Sequence, residues 1–290
     1  MKTKKLLPFL ATGIFATTTL VGCSSNQPAS NGLSQGKTVG FVQLANENKE
    51  RIWFDVLDSN EDGEISKDDK VKRIVAIQSG KVDIFHIYDA DLSEFREKTG
   101  DEILAFAKKS DKKYVEEEVA DVINTLNITI EGYEKDLIKY TAEEKETPGF
   151  NKDNIEFINK RLPLIQQRLK EVKELDYGDI KALYSNYSIK ATVGTDSSGN
   201  NVASETVYFP KPFDSIDLNI ENIESFSDTP VIDKLADTYY KVGIQVQGDV
   251  YKQSYAGYQF DSKYFFITTS LDSSVNLGLD TLDTKNITEE

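Results

Sequence analysis

The chain has 290 residues and carries 34 Lys plus Arg against 49 Asp plus Glu, a net charge of −15. That balance argues against electrostatic capture of nucleic acid or of an anionic membrane surface. A single Cys excludes an internal disulfide framework, a Cys-based zinc site and an iron–sulfur centre, and a single His leaves any Ser–His or Cys–His chemistry hanging on His86.

Lys2, Lys4 and Lys5 precede an apolar stretch, residues 6–21, interrupted only by Pro8, Gly13 and four threonines. Its length suits a secretory signal segment, and it is too short and Thr-rich for a membrane span. It ends in Leu20-Val21-Gly22-Cys23, which resembles the lipobox of bacterial lipoproteins. The resemblance implies removal of residues 1–22, a diacylglycerol thioether on Cys23, and palmitate-type acyl chains that hold the protein at the extracellular face of the cell membrane. An ordinary secretory or tail-anchoring segment with an incidental Cys is the competing reading. Cleavage would remove three lysines and no acid, leaving 31 basic residues against 49 acidic ones, a net −18. Such a body is repelled by anionic headgroups.

Residues 23–37 are rich in Ser, Asn, Gly and Gln, without periodicity, and read as a flexible tether with a reach of roughly 20 Å. Residues 38–92 read as a β-rich module, with strands expected at 38–44, 51–57, 71–78 and 81–88 and a two-residue turn at Ser79-Gly80. Residues 93–186 read as helical. Ser93 is placed as the cap of a short first helix, and Gly100-Asp101 opens a second. Val115, Val119, Val122, Leu126, Ile130, Tyr133, Leu137 and Tyr140 then recur at spacings of four and three, as in one amphipathic helix. After Thr147-Pro148-Gly149 a second stripe (Ile155, Ile158, Leu162, Ile165, Leu169, Val172, Leu175) predicts the return arm of an antiparallel hairpin, kinked at Pro163. Residues 187–290 return to a period of two. Strands are expected at 188–193, 202–209, 215–220, 239–246, 255–260, 264–270 and 275–279, with a left-handed residue at Gly199 in the first turn.

The sharpest local motif spans residues 58–69. Asp58, Asn60, Asp62, Glu64 and Asp69 stand at the ligand positions of an EF-hand-type loop, with Gly63 at the sharp turn and Ile65 on the pairing segment. The pattern resembles a dockerin loop, which also closes on Asp, although dockerins carry two such loops. Calcium binding and a plain Asp/Asn/Gly-rich turn between strands are both left open. His86 lies on a strand face shared with Val82, Ile84 and Tyr88, where a packed or surface His is the commoner outcome than a base. Acidic runs at 116–118 and 143–146 read as solvated helix faces, and the Tyr239, Tyr240, Tyr251, Tyr255 and Tyr258 cluster reads as core before binding surface. No His-Glu-x-x-His, Gly-x-Ser-x-Gly, Ser-x-x-Lys or phosphate-cradling Gly motif occurs, and no catalytic residue is assigned.

Arg51-Ile-Trp-Phe, Ser66-Lys-Asp-Asp69, Lys81-Val, Tyr255-Ala-Gly-Tyr258 and Leu279-Asp280 together resemble a loose group of Gram-positive lipoproteins of unknown function, over about half of the chain. That resemblance carries no catalytic residue. The expected fold is α+β: an N-terminal antiparallel β-meander, a central antiparallel helical hairpin and a C-terminal antiparallel sandwich or barrel-like part. Whether the two β parts share a sheet is open. The expected function is non-enzymatic binding at the cell surface, with the membrane as anchor, a protein or cell-envelope component as partner, and no nucleic acid. A solute-binding lipoprotein of a transporter and a carboxylate-dependent envelope hydrolase are the alternatives.

Overall fold

The computed structural model describes residues 37–210, 213, 237–260, 262–269, 271 and 275–290, all within one unit, Gly36–Glu290. The signal segment, Cys23, most of the tether and the strand expected at 215–220 lie outside the described residues. What is described is α+β, built in layers on an antiparallel sheet.

Seven strands form that sheet. In spatial order they are β5 (Tyr187–Ser188), β4 (Lys81–Asp91), β3 (Lys70–Gln78), β2 (Arg51–Leu57), β11 (Tyr264–Thr268), β10 (Gln253–Gln259) and β9 (Ile244–Val250). Strands β2 and β11 pair antiparallel from Leu57↔Tyr264 to Trp53↔Thr268, so the two β-rich parts of the sequence share one sheet. The β3–β4 turn places both Ser79 and Gly80 at positive φ, the geometry whose twist matches paired strands.

Successive residues of a strand face opposite sides, and here both sides are covered. Trp53, Val75, Ile77, Val82, Ile84, Tyr258 and Phe266 face a smaller sheet of β13 (Ile287–Glu289), β6 (Lys190–Thr195), β7 (Val202–Pro210) and β8 (Asp237–Lys241), which contributes Ala191, Val207 and Phe209. Phe54, Val56, Ile74, Ala76, Phe85, Phe265 and Ile267 face the opposite way, onto Ile103, Leu104 and Ala107. Those three residues open the long helix α2 (Gly100–Glu146), whose Thr99 cap and Glu102 form a reciprocal capping box. A sandwich of the seven-stranded and four-stranded sheets is therefore present, and among the described residues no closed barrel is formed.

Beyond Ala107 the helix leaves the sheet. Val115, Val122 and Leu126 pack against Ile165 and Val172 of α3 (Lys152–Lys173) and Ile180 of α4 (Tyr177–Ala182). At 1.5 Å per residue, 47 residues give α2 a length of about 70 Å. Pro163 lies inside α3, which runs through it.

Four local readings are corrected. Residues 38–44 are a short strand, β1 (Lys37–Gly40), followed by a helix, α1 (Phe41–Ala45). The chain bends there because the Asp280 carboxylate accepts the N–H groups of Val42 and Gln43. It sits so close to Gly40 that a Cβ would lie 2.2 Å from its Cγ. The short helix after β4 is a 3-10 turn, Leu92–Phe95, capped by Asp91 and not by Ser93. The run at 239–246 divides between β8 and β9, in different sheets; Gly243 passes so near the Gln259 carbonyl that no side chain fits. Finally, β1 pairs parallel with β12 (Val275–Gly278), and β13 pairs parallel with β6, the last strand being absent from the sequence reading.

Candidate functional site

Registers across the large sheet create a polar row. Thr268, Trp53, Val75 and Ile84 are cross-strand neighbours under the small sheet. Two residues further along each strand, the row reads Phe266, Asp55, Arg73 and His86. On β2, β3 and β4 the face thus changes from apolar to polar or charged in one step. A cleft of about 450 Å³ lies there, walled by Tyr114, Tyr240, Phe260 and Tyr264, with Lys72 at its exposed rim. Its size falls within the ordinary range of ligand sites, about 300–1,000 Å³.

The groups of this row are already oriented. The Arg73 guanidinium donates to the Tyr240 hydroxyl at 2.9 Å and pairs with Asp55 at 3.3 Å. Tyr240 stacks on Phe260, with ring centres 4.7 Å apart, and Phe260 stacks on Phe266. The His86 ring lies flat against Tyr114 at 4.3 Å. Its Nδ1 is 3.1 Å from Asp111 Oδ1, which marks Nδ1 as the donor. Nε2 is buried and has no hydrogen-bond partner among the described residues. Burying such a group unpaired costs about 1–3 kcal/mol.

Behind His86 stands Asp111, fully buried on α2. Four residues past Ala107, it reaches the open edge of β4 and accepts the His86 backbone N–H at 2.9 Å. Its other oxygen accepts the hydroxyls of Tyr177 and Tyr184 at 2.8 and 3.1 Å and pairs with Lys181 at 3.0 Å. Burial alone would raise its pKa; hydrogen bonds from His86 and the charge of Lys181 outweigh that and hold it at about 2. Lys181 also donates to the Ile84 carbonyl, and Ser110 Oγ accepts the Tyr88 N–H. Helices α2 and α4 therefore satisfy a strand edge that would otherwise present unpaired backbone groups.

The acidic loop at 58–69 joins β2 to β3 and is flanked by strands, unlike an EF-hand. Asp58 accepts the N–H groups of Asn60 and Gly63, and Asp69 those of Ser59 and Ser66. Both carboxylates are buried, whereas Asn60, Asp62 and Glu64 are exposed. Among the described residues no group of three or more His, Cys, Asp or Glu converges as a metal site. Of the expected ligands, the fold brings Asp58 and Asp69 together on the loop backbone. Burial is the main cause that raises the pKa of Asp69, with the nearby Asp58 charge adding to it.

Two features escaped the sequence reading. One is the Asp55–Arg73–His86 row; its only trace is that the core-facing series Ile77-Val75-Arg73 and Val82-Ile84-His86 both end in a charged or polar residue. The other is a buried acid pair. Glu205 accepts the Asp280 N–H at 2.8 Å, and its pKa is raised to about 8 by burial and by the Asp280 charge. Of the tyrosine cluster, Tyr255 and Tyr258 are core, while Tyr239 and Tyr251 are exposed.

Comparison with known proteins finds no match to a family, to a curated protein or to a solved structure.

Proposed function

We propose that this chain is a non-enzymatic binding module tethered by lipidated Cys23 to the outer face of the cytoplasmic membrane, and that its helical arm meets a protein or cell-envelope partner. The observation that carries the reading is the arm. Past Leu126, α2 has no buried apolar residue, and the far part of the hairpin leaves Ile138 and Phe150 each 73% exposed and Phe157 45% exposed. Its tip is nevertheless held in shape: Glu144 accepts the Asn151 N–H at 2.7 Å and also the Gly149 N–H, while Asn151 donates to Glu143. An arm whose tip is pinned in this way presents its large apolar side chains with less conformational freedom to lose on binding. The solute-binding alternative draws its support from the cleft beside His86.

The test is site-specific photo-cross-linking in cells, with the reactive group at Ile138 or Phe150 and, as a control, at Lys241 on the β body. Adducts to one envelope component from the arm positions, and none from the control, support the reading. Silence at both arm positions while the protein remains at the membrane would sink it.

A further inference from the structure

The first and last parts of the fold meet at one buried contact. Strand β1, through which residues 1–36 join the fold, pairs with β12. Just beyond β12, the Asp280 carboxylate accepts the Val42 and Gln43 N–H groups at 2.6 and 2.8 Å. Gly40, which precedes α1, provides no side-chain cap, so Asp280 supplies those acceptors from 238 positions away. Helix α1 in turn buries Phe41, Val42, Leu44 and Ala45, and the Phe41 ring stands edge-on to Trp53 with ring centres 5.0 Å apart.

Glu205 closes on the same carboxylate from β7. It is 1% exposed and Asp280 2%, and neither pairs with a Lys, Arg or His among the described residues. Glu205 Oε2 accepts the Asp280 N–H, while Oε1 is buried with no N–H or O–H donor among the described residues. The two carboxyl groups also share a side-chain hydrogen bond, which two such groups make only through a proton. The other groups facing the pair are the Thr284 hydroxyl, bonded to Asp280, and the Tyr258 hydroxyl on β10, which donates to the Gly278 carbonyl. Strand β6 places Val193 opposite Glu205, and α1 carries no titratable side chain.

We infer that the Glu205–Asp280 pair is a proton-operated clasp on β1 and α1: the shared proton holds Asp280 under the α1 N–H groups, and its loss loosens the segment by which the N-terminal residues enter the fold. With the proton in place the pair carries one negative charge, and the Val42 and Gln43 N–H groups stabilise it. Without it, two negative charges lie side by side in a buried site. Relief comes from moving Asp280. Glu205 is fixed in a strand paired on both sides, by β6 and β8, whereas Asp280 lies past the end of β12, outside any strand. Burial and the Asp280 charge raise the Glu205 pKa to about 8, so the clasp is closed below that pH and opens as pH rises through it. It does not rest on the lipid anchor at Cys23.

The chain's single Trp makes the test direct, because Trp53 lies against Phe41. Hydrogen exchange and Trp53 emission are followed from pH 5 to pH 9.5 on the full-length chain in neutral detergent. After correction for the intrinsic pH dependence of exchange, residues 38–46 should exchange about tenfold faster at pH 9 than at pH 6, the weakening expected one unit above a midpoint near 8. Residues 70–78 should not change, and Trp53 emission should shift with the same midpoint. Glu205→Gln, whose amide still donates to Asp280, should abolish both responses. Asp280→Asn, which removes the like charge, should move the Trp53 step to lower pH. The inference is overturned if residues 38–46 gain no exchange at pH 9, or if residues 70–78 accelerate equally. A Trp53 step that survives Glu205→Gln, or that stays in place in Asp280→Asn, overturns it as well.

Discussion

Asp111 and Glu205 are both buried carboxyl groups, and their surroundings push them in opposite directions. Asp111 receives two N–H groups from His86, two tyrosine hydroxyls and the Lys181 ammonium, so it stays ionised far below the normal range. Its folded pKa is below its unfolded one, so its contribution is present above pH ~4 and lost as pH falls towards ~2, roughly 2 kcal/mol in all. Asp111→Asn should cost roughly 3–5 kcal/mol at neutral pH, because Lys181 would remain buried beside a neutral amide. Urea titrations of both proteins at pH 6 and pH 3 would measure this, and the gap between them should narrow at the lower pH.

Glu205 shows the reverse case. Burial and the Asp280 charge raise its folded pKa above the unfolded value, so the stability it confers is fully present below pH ~4.5 and is lost as pH rises to ~8. Glu205→Gln keeps the acceptor for the Asp280 N–H and removes the ionisation. The variant should match the parent at pH 5, exceed it at pH 8, and show a flatter profile of melting temperature against pH. Parallel profiles would show that Glu205 does not titrate in this window.

At the scale of elements, the long helix does two jobs along one axis. Its first three turns belong to the sheet, through Ile103, Leu104, Ala107 and Asp111, and its middle belongs to the hairpin, through Val115, Val122 and Leu126. The far part contributes no buried residue on α2, so local opening should cost less there. Hydrogen exchange should therefore be fastest in residues 134–150, slower at 115–126 and slowest at 103–111. Leu126→Ala, at a fully buried seam position, should destabilise the arm by roughly 2–5 kcal/mol and raise exchange in α3 more than in β2 or β3. Equal acceleration everywhere would mean that arm and sheet unfold as one.

At the scale of the whole molecule, a sheet covered on both faces carries a long helical arm and an open cleft. If Cys23 anchors the chain, Cys23→Ala should move it from the membrane fraction to the medium while the melting temperature holds, because the described fold begins at residue 37. Retention at the membrane would remove the anchor from the account. The β2–β11 ladder joins residues some 210 positions apart, and loop closure over that distance makes late pairing the natural expectation in folding.

Local patterns in the sequence were enough to place most strands, the Ser79-Gly80 and Gly199 turns and both stripes of the hairpin, because periods of two and of three to four record which side of an element is buried. Charge and Cys count restricted the classes of function on the same local terms. Pairing was decided only in three dimensions. That β2 and β11 are neighbours, that β8 and β9 part company at Gly243, and that β1 and β13 find parallel partners all depend on registers between distant segments. The polar row depends on them most of all. Asp55, Arg73 and His86 are unremarkable residues on three separate strands, and become a site only when β2, β3 and β4 align to place them side by side. The acid pair arises in the same way, from Glu205 on β7 and Asp280 after β12, since neither residue's surroundings exist until the sheets have met. A single strand's pattern states which side is buried; what lies opposite is settled by tertiary packing.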